Sequence, residues 1–448
     1  MRDLIMLGGM CVLVPLALMN PFIAYLLWGW TAVLIPSNYV YGFMQNARLN
    51  LLFAIFTVLL VVFGRLKGVR YKATRTTNLL LLFIVHASLC AAFGYDNNRF
   101  NSFYYENFLK ACAFSLLMPL FVTSRLRLHA LLVMLSLGLG FHGAVEGLKM
   151  IKSGGGHILE GIPGSMLSDN NHLATGLAIV LPILFYLYLH SARKLVKLGF
   201  LAVLVLTTVT ILGSKSRGGF LAMAVVGFWF IMTSRKKLLS LSLVAFIGLA
   251  LFYFAPESWL ARIDSIQDAG ADSSFVGRLI AWKISSAIAL NNPVFGGGFH
   301  ALQVQYIWDM FKQSQGLLGF VNTPVPDFSA KAAHSIYFEV MGDLGFIGFG
   351  LFVSLLVNGL LTRNEIRNVV KRMGPEMLWA RDMADMLVLS IIAYMVGGAA
   401  VSLGYLEVIY MILVLMEVLK QYVLGVAKDK AAAATKRVVP LAVGANPV

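Results

Sequence analysis

Long apolar runs separated by short polar segments dominate the chain. Many runs have about the twenty residues that an α-helix needs to cross the hydrocarbon core of a bilayer. Ten-residue segments of alternating polarity, which are typical of outer-membrane barrels, are absent. The pattern therefore predicts an all-α polytopic membrane protein with about twelve transmembrane helices. The runs span approximately residues 4–36, 50–64, 78–94, 107–124, 128–150, 172–190, 195–213, 218–233, 238–255, 335–361, 383–401 and 404–423.

The first run is too long for one span and contains Asn20-Pro21. Proline lacks a backbone donor and clashes with the preceding helical turn. Three interpretations stay open for this run: one broken helix, a re-entrant pair, or two spans. We expect it to be a retained membrane segment, because it lacks the small-residue cleavage site of a signal peptide.

Lysine and arginine collect in every second loop and in the C-terminal tail. By the positive-inside rule these loops are cytoplasmic. The alternation is unbroken if the first run crosses once, which predicts that both termini are cytoplasmic. The expected organisation is transmembrane helices 1–9 in residues 1–256, an external loop or lid in 257–333, helices 10–12 in 334–424, and a tail in 425–448.

Composition agrees with this picture and excludes other classes of protein. Apolar residues make up 59% of the chain and charged residues 13%, whereas soluble domains are roughly 25% charged. The net charge of +15 suggests a nucleic-acid partner, but the cations lie in short loops between apolar runs, so we expect none. The external loop is close to neutral, and loops of this length are usually functional. Its segment Phe299–Lys312 has an apolar side and predicts a short helix.

Two cations, Lys215 and Arg217, lie on an outer loop and break the charge pattern. A guanidinium presents a rigid fork of donors that matches phosphate oxygens. Gly218 and Gly219 would let a ligand approach the backbone beside it. The alternative is an arginine that reaches the lipid headgroups.

The external loop contains Arg278 and, thirteen residues later, a glycine-rich segment that begins at Asn291 and ends in Gly296-Gly297-Gly298-Phe299-His300. The glycine run resembles a phosphate-binding loop only loosely, and a plain turn is the favoured interpretation. His300 reads as a structural or surface histidine rather than a catalyst.

His334 precedes the tenth run, at its join with the external loop. A neutral imidazole there can accept a proton near pH 7. Ser335 follows it, and Glu339 and Asp343 lie one turn apart on the helix that it begins. These carboxylates would orient a histidine, pair with an arginine, or face a wet cavity.

The outer segment before the sixth run contains Asp169 and Asn171, and an Asp at a helix start is explained by capping alone. No metal-ligand spacing, P-loop or nucleophile motif is present. We therefore expect neither a cofactor nor a metal.

Together these motifs resemble the O-antigen ligase / O-antigen polymerase superfamily of bacterial inner membranes. The motifs are the outer-loop SRGG, then GR…W…NPVFGGG, then H-S-x-Y-F-E-V-x-G-D-L-G-x-x-G opening a span. The resemblance is strongest over residues 170–350 and to the lipid A-core:surface polymer ligase branch. The N-terminal third is also similar to exosortase-associated O-glycosylation ligases. The family commonly has Asn where this chain has Ser335.

The resemblance implies a GT-C-like, metal-independent, inverting glycosyltransferase with a periplasmic active site. Its donor would be an undecaprenyl-diphosphate-linked glycan, and its acceptor would be lipid A-core. The family's catalytic histidine maps onto His334, and its two essential arginines map onto Arg217 and Arg278, with Lys215 assisting at the diphosphate. Ser335, Glu339, Asp343, Asp169 and Asn171 are supporting candidates. Membrane lipids are the other expected partners.

Two alternatives remain open. Within the superfamily, an O-antigen polymerase or a protein (pilin) O-oligosaccharyltransferase would differ only in the acceptor. From another class, a transporter or flippase would need ionisable residues at mid-span or paired broken helices. Only Asn20-Pro21 fits that requirement, so the clustering of charge at the outer surface favours the enzyme.

Overall fold

The computed structural model describes residues 1–63, 71–95, 99–233 and 273–438. The run predicted at 238–255 and the first part of the external loop, 257–272, lie outside the described residues. Every regular secondary-structure element in the described residues is helical. The α-helices are α1 (Arg2–Met19), α2 (Pro21–Leu34), α3 (Leu49–Val62), α4 (Arg75–Phe93), α5 (Arg99–Phe121), α6 (Arg125–Lys152), α7 (Asn170–His190), α8 (Lys194–Gly213), α9 (Arg217–Thr233), α10 (Ser273–Asn291), α11 (Gln305–Phe311), α12 (Ile336–Val370), α13 (Leu378–Gly398) and α14 (Glu407–Val438).

Seven of the described helices are long and apolar enough to cross a membrane: α1, α4, α6, α7, α8, α12 and α14. The shorter α2, α3 and α9 are also apolar. This composition confirms the all-α membrane class, whereas the number of twelve spans stays a prediction. The tail predicted at 425–448 begins within a helix, since α14 continues to Val438.

The first apolar run forms two helices that meet at Asn20-Pro21. Proline occupies the first position of α2, where no helical donor is needed, and the Asn20 side chain accepts from Phe22 N at 3.0 Å. The Asp3 carboxylate, at the start of α1, accepts from Gly42 N at 3.1 Å and Met44 N at 3.0 Å, both beyond the end of α2. The chain therefore runs out along α1 and back along α2.

This reversal favours a re-entrant pair or two spans over one broken helix for the first run, because the proline break separates it into two antiparallel helices. With the segment after α2 external, as the charge pattern predicts, two crossings would make Met1 external as well. That both termini are cytoplasmic stays a prediction.

Contacts between described loops and helix ends mark two opposite ends of the bundle. At the end that we call the basic end, the Arg125 guanidinium lies 4.7 Å from the Trp379 ring centroid, which joins the starts of α6 and α13. At the opposite, distal end, Asn170 Nδ2 donates to Ser214 O at 3.0 Å, which joins the start of α7 to the turn between α8 and α9. Which end faces the periplasm stays a prediction.

Residues 273–333 form a compact subdomain at the distal end rather than an extended loop. Its apolar core contains Ile284 of α10 together with Ile307, Trp308 and Phe311 of α11. The helix predicted over Phe299–Lys312 is shorter, because His300 has φ of 55° and α11 starts only at Gln305. The long buried helix α10 was not predicted.

Helix α12 is kinked where the subdomain packs against it. Gly345 has φ of 65° and ψ of −172° inside the helix, and Phe346 N donates to Pro293 O at 2.9 Å. A β-carbon on Gly345 would lie 2.6 Å from Pro293 O. The missing side chain of Gly345 therefore lets residues 293–298 pack against the backbone of α12 at the kink.

Candidate functional site

Asp169 begins the central helix α7, whose residues Leu173–Leu184 are all buried. Its carboxylate accepts from Asn171 N at 2.7 Å and His172 N at 2.9 Å, as the expected helix cap. Its second oxygen lies 2.9 Å from His172 Nδ1. Burial would raise the pKa of Asp169, but the contacts with His172 and the two backbone amides outweigh it and lower the pKa to about 2. Asp169 is therefore a permanent anion.

The turn with Lys215 and Arg217 lies beside this cap. Lys215 has φ of 56°, and Arg217 is the exposed first residue of α9. Gly218 and Gly219 serve helix packing: a β-carbon on Gly219 would lie 2.6 Å from the Ala174 β-carbon. The expectation that these glycines open the backbone to a ligand is therefore wrong, because α7 and α13 fill that space.

His334 lies two residues before α12 and has φ of 47°. Its backbone N donates to Ser402 Oγ at 2.9 Å, in the segment that follows α13. The neighbouring Ser335 is buried and is the N-cap residue of α12, although its side chain makes no capping bond.

Burial, followed by the positive charge of Arg278 and smaller effects of His172 and Lys331, lowers the pKa of the half-buried His334 to about 4, against an opposing effect of Asp169. These effects place Arg278 of α10 and the Asp169–His172 pair of α7 within electrostatic range of His334. A histidine with this pKa is neutral at pH 7, so its ring can accept a proton.

Arg217 and His334 lie at the same end of α13. A β-carbon on Gly218 would lie 3.1 Å from Gly397 O, and one on Gly398 would lie 2.7 Å from the Ile336 side chain. The C-terminal end of α13 therefore separates the start of α9 from the start of α12. The structure thus places Arg278 and Asp169 within electrostatic range of His334, and Arg217 and Lys215 at the same distal end.

Glu339 and Asp343 support the glycine-rich segment. Glu339 accepts from Gly404 N at 2.7 Å and lies 3.4 Å from His300 Nε2. Asp343 accepts from His300 N at 2.8 Å and from the Tyr405 hydroxyl at 3.0 Å. The histidine that these carboxylates orient is therefore His300, and their role is to fasten the subdomain to α12.

His300 itself is a structural residue, as the sequence suggested. It is buried, and its ring stacks on Tyr104 with 3.4 Å between the ring centroids. Burial and, to a smaller extent, His172 lower the pKa of His300 to about 3, against an opposing effect of the contact with Gln303. Gly296 has φ of 62°, and a β-carbon there would lie 2.5 Å from Gly345 N, so this glycine allows close packing on α12.

Three residues of the site have no assigned role in the sequence analysis: His172, Lys331 and Ser402. His172 follows Asp169 by three positions at a helix start, a spacing that places both side chains on one face. Its Nε2 is buried and has no hydrogen-bond partner among the described residues. No sequence signal points to Ser402, whose contact with His334 spans 68 positions.

The assembled site can bind an anion and accept a proton. Two arginines and two lysines supply positive charge at the distal end, and His334 supplies a neutral imidazole. Within the described ranges no group of three or more His, Cys, Asp or Glu residues is arranged to hold a metal ion. Metal independence stays a prediction.

Fold and site together define a polytopic helical membrane protein with a cationic, histidine-containing site at one end of its bundle. Residues 202–353 match the family model described as O-Antigen ligase, which confirms the predicted superfamily. This stretch carries Arg217, Arg278 and His334. Residues 1–192, which carry Asp169 and His172, match a family of unknown function, DUF5935. No curated protein matches the chain. Members of the ligase family are glycosyltransferase-like enzymes with lipid-linked glycan donors and polysaccharide or lipid acceptors.

Proposed function

We propose that the protein transfers a glycan from undecaprenyl diphosphate to a hydroxyl of lipid A-core, with inversion, at the periplasmic face of a bacterial inner membrane. The observation that carries the proposal is the meeting of Arg278, the Asp169–His172 pair and the neutral His334 at the distal end. The match to the O-antigen ligase family supports the reaction class.

The arginines would bind the diphosphate. Arg278 of α10 and Arg217 at the start of α9 would each contact a phosphate of the donor. Negative charge grows on the diphosphate as its bond to the sugar breaks. Removing a preorganised donor to such a charge typically costs about 10²–10³ in rate. Lys215 and Lys331 add long-range positive charge.

His334 would act as the general base. The acceptor hydroxyl oxygen forms the new bond to the anomeric carbon while its proton passes to the imidazole of His334. The bond from the anomeric carbon to the diphosphate oxygen breaks, and its electron pair leaves with the diphosphate. General base catalysis contributes about 10²–10⁴. Attack from the side opposite the leaving group inverts the anomeric configuration.

Asp169 and His172 would support this base. The Asp169 carboxylate holds His172 by one ring nitrogen, and the other nitrogen is a buried polar atom aimed away from the cap. An Asp–His pair of this kind positions a substrate hydroxyl or the base itself. Ser402 fixes the backbone of His334.

Deletion of the chromosomal copy in the native host tests the function and identifies the acceptor. We expect the lipopolysaccharide gel to lose its polymer-bearing bands, and the wild-type chain, but not the Arg278→Ala variant, to restore them. Altered pilin mobility with normal lipopolysaccharide would instead identify a protein acceptor. Unchanged glycosylation of both would contradict the proposal.

A further inference from the structure

A cavity with aromatic, apolar and polar walls lies at the distal end, in the N-terminal part of the chain. Its volume is about 930 Å³, and typical ligand sites measure roughly 300–1,000 Å³. The start of α1, the segment after α2, the last turns of α6 and residues 157–163 form its walls. None of the residues assigned to transfer lines it.

Its walls combine aromatic rings with hydrogen-bonding groups. Tyr39, Tyr41 and Phe141 contribute rings, and Asn38 and Glu160 contribute polar atoms. A sugar ring presents an apolar C–H face together with hydroxyls that both donate and accept, so it can use both kinds of surface.

The charges of the cavity are balanced. Arg2 and Lys149 line it together with Glu146 and Glu160. A phosphate would meet two carboxylates, and an organic cation would meet two positive side chains. A neutral hydroxylated ligand avoids both conflicts.

Internal hydrogen bonds hold the polar side chains in place before any ligand enters. Glu146 Oε2 lies 2.6 Å from His157 Nε2, and its other oxygen accepts from Lys149 Nζ at 2.6 Å. The Tyr39 hydroxyl lies 2.5 Å from His142 Nδ1. Such preorganisation lowers the entropy cost of binding.

The cavity shares a wall with the transfer site. A β-carbon on Gly161 would lie 2.4 Å from Asp169 N, so the 157–163 wall packs directly on the α7 cap. Leu173 lines the cavity, and the preceding residue, His172, acts electrostatically on His334. A ligand chain in the cavity would therefore lie beside the transfer site.

We propose that this cavity binds a neutral sugar segment of one of the two substrates. The inference rests on the proposed function for the identity of that substrate, which is the glycan of the donor or the sugar core of the acceptor. It assigns a binding role to the part of the chain whose matched family has no described function.

Two tryptophan substitutions on α6 test the cavity. Val145 lines it and is half-buried, whereas Leu148, three residues further along α6, does not line it and is exposed. Val145→Trp fills the cavity, and Leu148→Trp is the matched control. The full-length protein in nanodiscs is titrated by saturation-transfer NMR with two probes: the donor oligosaccharide released from its diphosphate, and the delipidated acceptor core oligosaccharide.

We expect one probe to bind the wild type and Leu148→Trp, and to bind Val145→Trp at least about tenfold more weakly. The KM for the substrate that carries this sugar should rise by a similar factor in Val145→Trp while kcat changes less than about twofold. The probe that binds identifies the donor or the acceptor as the source. Equal binding to all three proteins, or no binding to the wild type, would overturn the proposal.

Two further variants keep the test decisive. Tyr41→Ala removes an exposed lining ring without adding volume, so it tests the cavity if Val145→Trp fails to fold. We expect it to weaken binding of the same probe, and unchanged binding would count against the cavity. Arg278→Ala should lose transfer but keep probe binding. Full transfer by Arg278→Ala with intact probe binding would contradict the proposed function but would still support the sugar site.

Discussion

His334 is the residue on which the proposed chemistry depends most, because its imidazole is neutral at pH 7 and lies within electrostatic range of Arg278. Burial and Arg278 lower its pKa to about 4, so the unprotonated base is present above that pH and lost below it. We expect kcat/KM, which reports the free enzyme, to rise up to about pH 5 and to stay flat from pH 6 to pH 8. A tenfold rise between pH 6 and pH 8 would show that another group is the base.

Replacement of His334 separates proton transfer from donor binding. His334→Ala should lower transfer by about 10²–10⁴ while the affinity for undecaprenyl-diphosphate glycan changes little, because the arginines hold the diphosphate. Donor binding and transfer are measured on the same purified variant. Normal transfer would refute the base assignment, and loss of donor binding would make His334 a diphosphate ligand.

Charge alone should not replace the guanidinium of Arg278. Arg278→Lys keeps the positive charge but loses the planar fork, so we expect transfer to fall by about 10²–10³ with the protein still folded. Lys312→Ala is the control, since Lys312 lies in the same subdomain and pairs with Asp309 on its surface. Equal activity of Arg278→Lys and wild type would show that this position does not bind phosphate through the planar guanidinium fork.

At the scale of elements, the kink of α12 is the feature that positions the site. Gly345→Ala would force a left-handed φ on alanine and a contact with Pro293 O, so we expect a loss of about 1–3 kcal/mol of stability together with reduced transfer. Gly350→Ala is the matched control on the same helix, because a β-carbon there meets nothing within 4 Å. Thermal unfolding of the two variants measures the difference, and equal melting temperatures would contradict it.

The sequence predicted most helices because apolar runs have the length of a bilayer crossing. It missed α10, whose apolar residues face a small subdomain core instead of a lipid-length surface. The role predicted for Gly218 and Gly219 was also wrong, because residues of α7 and α13 pack against them. The contacting residues of α7 lie more than forty positions earlier in the chain. Tertiary partners of this kind leave no local pattern.

The candidate site was predictable in its residue types but not in its partners. His334 and Arg278 belong to motifs, and they lie within electrostatic range of each other, whereas their roles stay predictions. Glu339 and Asp343 lie on the helix that follows His334, yet they contact His300 of the subdomain. His334 N donates to Ser402, which is distant in sequence.

At the scale of the whole molecule, the reversal between α1 and α2 changes the topology. We expect a cysteine introduced at Gly42 and one introduced at Arg2 to react with the same membrane-impermeant reagent from the same side, in a background without native cysteines. A cysteine at Lys430, at the basic end, should react only from the opposite side. If cysteines at positions 2 and 430 were labelled from the same side, the first run would cross the membrane once, as the alternation of basic loops predicts.

Reporter fusions give the absolute orientation. A fusion after Gly270 should report the periplasm, and fusions after Lys237 or Arg372 should report the cytoplasm, because basic loops are retained inside. A cytoplasmic signal at Gly270 would place the distal end inside the cell and remove access to a periplasmic donor.

Reconstituted transfer tests the central claim most directly. Purified full-length protein is mixed with undecaprenyl-diphosphate glycan and lipid A-core in the presence of excess chelator, and the ligated product is resolved on a gel. We predict product with the wild type at undiminished rate, and at least about a hundredfold less with Arg217→Ala, Arg278→Ala or His334→Ala. Loss of product from the wild type in chelator, or equal product from all four proteins, would contradict the account.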